Sequence, residues 1–266
     1  MTFQFSQLES YKFVDTGGDP EQIPIVLLHG LLGNPEGWAD TVDALAAHDY
    51  RVIVPLIPID RMPLAQANVT GIVRYVRQFT NTLELETAVL VGNSLGGQIA
   101  LHYVLLYPES VVGLILSGSS GVYEMEVGKT TFRRRDRSYI RTKAEKSFYD
   151  PVHVTDELVE SLYKLANDRA RALRIVRIAR SSITECLTDR LESIDVPTAL
   201  IWGTDDQITP PDVAITFKSS MPCAELHFIE RCGHAPMMER PDIFNELSLD
   251  FLQRVVGATA LPAPSV

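Results

Sequence analysis

The chain has 266 residues and a net charge of −10, with 45% apolar and 22% charged residues. That length allows one large domain or two small ones, with a core that needs no disulfide or metal to hold it. The composition excludes a dominantly disordered, collagen-like or coiled-coil chain. The acidic balance excludes nonspecific affinity for nucleic acid or anionic membranes. Cys186, Cys223 and Cys232 are irregularly spaced and give neither a disulfide framework nor a zinc pattern. The opening residues lack a basic segment followed by a long apolar one, so no cleaved signal is expected. No apolar run approaches the roughly 20 residues of a spanning helix. The expectation is a soluble, cytoplasmic protein.

In chain order, residues 23–29 (IPIVLLH) read as a buried strand stopped by Gly30, and 37–48 as an amphipathic helix. Residues 50–57 read as a strand whose pairing Pro55 ends early, followed by a helix over 70–82. Residues 87–92 (TAVLVG) have the composition of a central strand and lead into a helix over 96–107. Strands over 111–117, 197–203 and 224–230 and a helix over 241–255 complete the series. Short β-branched runs alternating with helices predict an α/β fold, a doubly wound and mostly parallel sheet covered on both faces.

One stretch breaks the alternation. Residues 121–190 hold 15 Lys and Arg against 11 Asp and Glu, a local net of +4, while the remainder carries −14. A charge step of this kind, with no strand-like run inside it, marks an inserted helical subdomain. The predicted organisation is a core of 1–121 and 191–256, a helical lid of 122–190 and a frayed tail of 257–266.

The strongest local signal is Gly92-Asn93-Ser94-Leu95-Gly96-Gly97, between a strand and a helical pattern. That context turns a bare G-x-S-x-G into a nucleophile elbow. Glycines let neighbouring backbone pass close to a strained serine, whose hydroxyl is then lifted to a helix N-terminus that favours negative charge. A serine needs a base, and the base needs an acid to orient it. His234, in Arg231-Cys232-Gly233-His234-Ala235-Pro236, follows the last predicted strand and is free of regular structure. Asp205 and Asp206 end the strand before it, giving the chain order serine, acid, histidine.

With these motifs in this order, the chain resembles α/β-hydrolase-fold proteins over nearly its whole length. The family's Trp-Gly-x-x-Asp-x-x-x-Pro pattern selects Asp206, four residues before Pro210, with Asp205 as the alternative turn or capping carboxylate. In the family a His-Gly opens the oxyanion loop. The resemblance therefore implies that the backbone N–H groups of Leu31 and Leu95 hold the oxyanion, each contributing roughly 3 kcal/mol. His29 itself is expected to be structural, His102 a packed helix residue, His48 and His153 exposed, and His227 part of a strand. None has metal-site spacing, so no metal and no cofactor are expected.

Family members that cleave carbon–carbon bonds in ring-fission products resemble the chain around the elbow. They carry a glycine-rich loop with Pro after the His-Gly and a lid arginine for the substrate's carboxylate. Here the loop is the more apolar Leu31-Leu32-Gly33-Asn34-Pro35, and residues 156–162 hold no Arg. Ser94 also separates the chain from epoxide hydrolases and haloalkane dehalogenases, which use Asp at the elbow. Arg171, Arg174, Arg177 and Arg180 recur every three residues beside Leu173, Val176, Ala179 and Ile183. This predicts an amphipathic lid helix with a solvated basic face and an apolar underside over the pocket, in preference to a basic face for an anionic substrate or lipid. The apolar run from Pro55 to Pro63 either lines the pocket mouth or packs beneath the lid. The expected partner is a small-molecule substrate, with no nucleic acid and no membrane span. The leading expectation is a serine hydrolase for a small-to-medium carboxylic ester. The alternatives are a carbon–carbon bond hydrolase for ring-fission diketo acids and a slowly turning-over ligand sensor.

Overall fold

The computed structural model describes residues 3–19, 21–122 and 133–259. It opens on a hairpin that the sequence reading does not single out, β1 (Phe5–Leu8) and β2 (Tyr11–Asp15). β1 is largely exposed and too short to alternate legibly, which is why it leaves no pattern. β3 (Ile25–Leu28) follows, then α1 (Ala39–Ala46), entered through a short 3₁₀ turn that Asn34 caps by accepting from Gly37 N at 3.2 Å. β4 (Val52–Pro55) stops at the proline, as expected. α2 (Val69–Thr82) starts where the Asn68 side chain accepts from Gly71 N at 2.7 Å.

β5 (Ala88–Asn93), α3 (Leu95–Leu106) and β6 (Val111–Ser117) form the centre. Beyond β6 the described residues contain α4 (Arg137–Glu145), α5 (Asp156–Asn167) and α6 (Arg169–Thr184), and no strand. The chain then returns through β7 (Thr198–Gly203), α7 (Pro211–Ser220), β8 (Ala224–Ile229), α8 (Pro236–Glu239) and α9 (Pro241–Thr259). α7 is a helix the sequence reading omits. α9 runs three residues past the expected start of the tail, so 257–259 are helical, and the rest of the tail lies outside the described residues.

The strands hydrogen-bond in the order β1-β2-β4-β3-β5-β6-β7-β8. Pairings from β4 through β8 are parallel, and the β1–β2 and β2–β4 pairs are antiparallel. β3, β4, β5 and β7 are buried along their whole length, as parallel strands covered on both faces must be. Strand alternation divides their side chains between two cores. Val26, Leu28 and Leu90 meet α2, α3 and α7 through Ile72, Phe79, Ile99 and Phe217. Ile25, Leu27, Val89 and Val91 meet α1 and α9 through Val42, Leu45, Phe244 and Phe251. Each such fully buried side chain contributes about 1.5–3 kcal/mol, which fixes which face of each strand meets which helices.

The two ends of the helical insertion meet: Leu187 N donates to Gly121 O at 2.7 Å and Thr188 Oγ1 to Val122 O at 3.2 Å. Its last helix corrects an expectation. Leu173, Val176 and Ile183 are 49%, 46% and 42% exposed, while Ile175, Ile178 and Ser182 turn inward. Polar anchors set this roll. Arg171 Nε donates to Asp60 Oδ2 at 2.6 Å, Arg174 Nε to Met62 O at 2.7 Å, and Ser182 Oγ to Gln98 Oε1 at 2.5 Å. Half of the basic line therefore docks on the core, and the apolar line faces out. The same contacts decide the Pro55–Pro63 run: Ile57, Ile59 and Met62 are buried, and the run packs beneath α6.

Candidate active site

The parallel strands deliver three loops to one edge of the sheet, where open α/β sheets place their ligands. At the end of β5, Ser94 sits at φ +56°, ψ −122°, a conformation a serine holds only when its surroundings impose it. The imposition comes from backbone contacts. A Cβ on Gly96 would lie 2.0 Å from Leu28 O, and one on Gly92 would lie 2.5 Å from the Gly96 carbonyl. Ser94 N donates to Ser117 O at 3.0 Å, and Ser94 O accepts from Ser120 N at 3.1 Å. β6 thus grips the elbow from its other side. Leu95 is the first residue of α3, so its N–H is one of those a helix cannot satisfy internally.

Asp206 follows β7 and is 3% exposed. Its Oδ1 accepts from Ile208 N at 2.8 Å and Thr209 N at 3.0 Å, a turn that fixes the carboxylate plane. Its Oδ2 lies 2.9 Å from Nδ1 of His234, which is 8% exposed in the loop after β8. The structure thus brings Asp206 to His234. Asp205 is exposed and accepts instead from Thr204 Oγ1 at 2.8 Å, in a turn role. With Nδ1–H donating to Asp206, the remaining nitrogen, Nε2, carries the lone pair a base needs.

Two residues join this pair to the elbow. Asn93 Nδ2 donates both to Ser117 O at 3.0 Å and to His234 O at 2.9 Å, so the residue before Ser94 holds the histidine loop directly. Gly118 has φ +51°, and a Cβ there would stand 2.8 Å from His234 Nδ1. Only glycine leaves the imidazole its place. Ser94 Oγ and His234 make no hydrogen bond to each other among the described residues, and such contacts are often long without substrate.

The loop after β3 passes over the elbow. A Cβ on Gly30 would be 3.2 Å from Ser94 Cβ, so the loop runs against the serine at Gly30, with half-buried Leu31 next in the chain. His29 has a structural role: Nδ1 donates to Gly30 O at 2.9 Å and Nε2 accepts from Ile57 N at 3.3 Å. Burial pushes its pKa down and keeps it neutral. His102 packs on α3 with Nε2 3.1 Å from Glu185 O, and burial lowers its pKa too. His48 is exposed, and His227 lies in β8 beside Glu225. His153 departs from expectation, half-buried with its ring stacked 5.4 Å from that of Phe148.

The strap between α4 and α5 closes over the histidine loop. His234 N donates to Ser147 O at 2.8 Å. Buried Glu239 takes Gly233 N on Oε2 and Asp150 N on Oε1, both at 2.6 Å. One carboxylate therefore ties the histidine loop to the strap. Sequence reasoning missed Asn93, Gly118, Thr209 and Glu239 as site residues. Asn93 and Thr209 stand inside motifs, but at positions those motifs leave unspecified; Gly118 and Glu239 act through contacts distant in sequence. No group of three or more His, Cys, Asp or Glu side chains placed to hold a metal occurs among the described residues. Nor is any described helix long and apolar enough to cross a membrane.

The family model for the alpha/beta hydrolase fold matches residues 23–241, which contain every element of this site. The chain belongs to the α/β-hydrolase fold family. A 2-hydroxy-6-oxononadienedioate/2-hydroxy-6-oxononatrienedioate hydrolase of Paraburkholderia phymatum is 32% identical over 260 residues, spanning 90% of this chain and 89% of its own. A 2-hydroxy-6-oxo-6-phenylhexa-2,4-dienoate hydrolase of Burkholderia cepacia is 30% identical over 248 residues, spanning 86% and 87%. Among solved structures, an alpha/beta hydrolase enzyme from the metagenome of Mar Chica lagoon sediments, Morocco, superposes with a TM-score of 0.78. It is 31% identical and covers 94% of this chain and 98% of its own. As a member of the α/β-hydrolase fold family, the chain is a hydrolase whose relatives act on small molecules.

Proposed function

We propose that the chain is a serine hydrolase that breaks a carbon–carbon bond beside a ketone in 2-hydroxy-6-oxo-dienoate compounds. The observation that carries the reading is the Asp206–His234 pair, held by Asn93 against the strained Ser94. The relatives' names support the bond type. A 2-hydroxy-6-oxo-6-phenylhexa-2,4-dienoate contains no ester, lactone or amide, so its hydrolysis must break a bond to the C6 ketone. This reading replaces the ester as the leading substrate.

In this mechanism Ser94 Oγ adds to C6 as His234 Nε2 takes its proton, and Asp206 steadies the imidazolium. The C6 oxygen becomes an alkoxide that receives the backbone N–H groups of Leu31 and Leu95. The C5–C6 bond then breaks. Its electron pair is acceptable at C5 only after the 2-hydroxydiene has shifted to its 2-oxo tautomer, which spreads the charge to the C2 oxygen. His234 returns the proton to the departing fragment. It then activates water, which releases the C6 acyl group as a carboxylic acid and frees Ser94. The α4–α6 insertion serves as a lid that keeps bulk water from the acyl-enzyme.

A second reading, ester hydrolysis, keeps one observation in its favour. Arg137 pairs with Glu160, Arg141 with Asp156, and Arg171 with Asp60, while Arg174 binds Met62 O. A dienoate carboxylate needs a donor set, and these lid arginines are engaged elsewhere; an ester needs none. Parallel kcat/KM measurements on the phenyl dienoate and on p-nitrophenyl esters decide between them. We expect the dienoate to be preferred, with both activities lost in Ser94→Ala. Preference for the esters would favour the second reading. Unchanged turnover in the variant would remove both.

A further inference from the structure

Thr209 is 1% exposed and lies three residues after Asp206. Its Oγ1 donates to Asp206 Oδ2 at 2.9 Å, the same oxygen that holds His234, and stands 3.2 Å from His234 Nδ1. The threonine cannot drift, because its carbonyl accepts from the buried Trp202 Nε1 at 2.8 Å and its own N–H binds Asp206 Oδ1. Asp206 thus receives Ile208 N and Thr209 N on Oδ1, and His234 Nδ1 and Thr209 Oγ1 on Oδ2. That is a closed triangle of acid, base and hydroxyl. Among the described residues no Lys or Arg pairs with this carboxylate, so each of these donors weighs heavily in so buried a place.

We propose that Thr209 is a positioning residue for the base, which weakens the hold of Asp206 on the imidazolium and so sets the pH above which His234 can accept a proton. The inference rests on the proposed role of His234 as general base. The sign follows from the geometry. A hydroxyl donating to Oδ2 draws off part of the negative charge that would stabilise protonated His234. The opposing leg, Oγ1 accepting from Nδ1–H, is longer and shares its proton with Oδ2. Removing the hydroxyl therefore favours the imidazolium, and the acid limb of the pH profile moves up.

Thr209→Val alters none of the other titratable side chains on the elements packed against the His234 loop. They are Ser94 on the elbow, Cys232 in the loop itself, Glu239 on α8, and Asp150 and His153 on the strap; Gly118 from the end of β6 brings no charge. Cys232 is fully buried, and burial pushes its thiol pKa up, so it adds no charge over the working range.

The test compares wild type, Thr209→Val and Thr209→Ser in two ways. One is the pH dependence of kcat/KM on whichever of the two substrate classes turns over. The other is NMR titration of ring-labelled His234, which needs no substrate. Thr209→Val should shift both midpoints upward by about half to one pH unit and lower kcat/KM at neutral pH about tenfold or less. Thr209→Ser, which keeps the hydroxyl, should titrate as wild type does. An activity loss in Thr209→Val with no change in either midpoint would mean packing alone and overturn the inference. A downward shift, or a Thr209→Ser midpoint that follows Val, would overturn it equally. Failure of the base role itself reads differently: the NMR midpoint would move while the kinetic profile stayed flat.

Discussion

The elbow around Ser94 and the helix α6 are held in place by opposite means. At the elbow, position is enforced by missing side chains: Gly92, Gly96 and Gly118 allow backbone and imidazole to approach to distances any Cβ would forbid. At α6, position is enforced by side chains. Arg171 and Arg174 reach the loop after β4, Ser181 Oγ accepts from Val69 N at 2.8 Å, and Gln98 Nε2 binds Ser182 O and Glu185 O at 2.9 and 3.1 Å. Steric exclusion leaves no alternative arrangement, whereas separate polar contacts can be exchanged one at a time. The proposed reacting groups therefore sit on the sterically fixed part, and the proposed lid helix on the part held by exchangeable contacts.

The sharpest way to break the contrast is to add one methyl group at the elbow. Gly96→Ala places a Cβ 2.0 Å from Leu28 O, with no flexible neighbour to give way. Its urea midpoint should correspond to a loss above about 4 kcal/mol, or the chain should not fold. The joint between the two regions is the next test. Glu239→Gln turns one of two acceptor oxygens into a donor facing either Gly233 N or Asp150 N. We expect a cost of about 1–3 kcal/mol, a severalfold fall in kcat, and faster hydrogen exchange in the strap than in α3.

A smaller effect lies in pH. His29 is buried and its pKa is lowered below the ordinary 6.5. The unfolded chain therefore binds the proton first. Stability from His29 is complete above about pH 6.5 and declines as pH falls toward its depressed folded value. Tm should drop on acidification below pH 6.5, and His29→Gln should show a shallower slope over that window. The smallest effect belongs to α6. Asp60→Asn removes a partly exposed ion pair with Arg171 and should cost no more than about 1 kcal/mol by urea titration. Protease cutting within α6 should nonetheless accelerate. A large loss there would mean the helix is as rigidly fixed as the elbow.

The same contrast governs what could be read from the sequence. The parallel strands announce themselves as continuous apolar runs, and the elbow as a glycine pattern between strand and helix. Motif spacing separates Asp206 from Asp205, and in the fold Asp206 hydrogen-bonds His234 while Asp205 accepts from Thr204. The hairpin β1–β2 is not legible because β1 is four largely exposed residues and β2, though mostly buried, is only five residues long, too few for a clear period-two signal. The roll of α6 was misjudged because its apolar line and its core-facing line are separate. Ser182 and Arg174 are polar residues that face inward, and only the distant Gln98 and Met62 explain why. Gly118 and Glu239 belong to the site through contacts made across the fold, which no local pattern encodes, and Thr209 fills a motif position whose residue type the pattern leaves open.

The central claim is that Ser94 is a nucleophile activated by His234. Intact-protein and peptide mass measurement after brief exposure to a fluorophosphonate tests it most directly. The account predicts one adduct, on Ser94, forming quickly in wild type and at a small fraction of that rate in His234→Ala. Labelling elsewhere, or labelling of Ser94 at the same rate without His234, would contradict it.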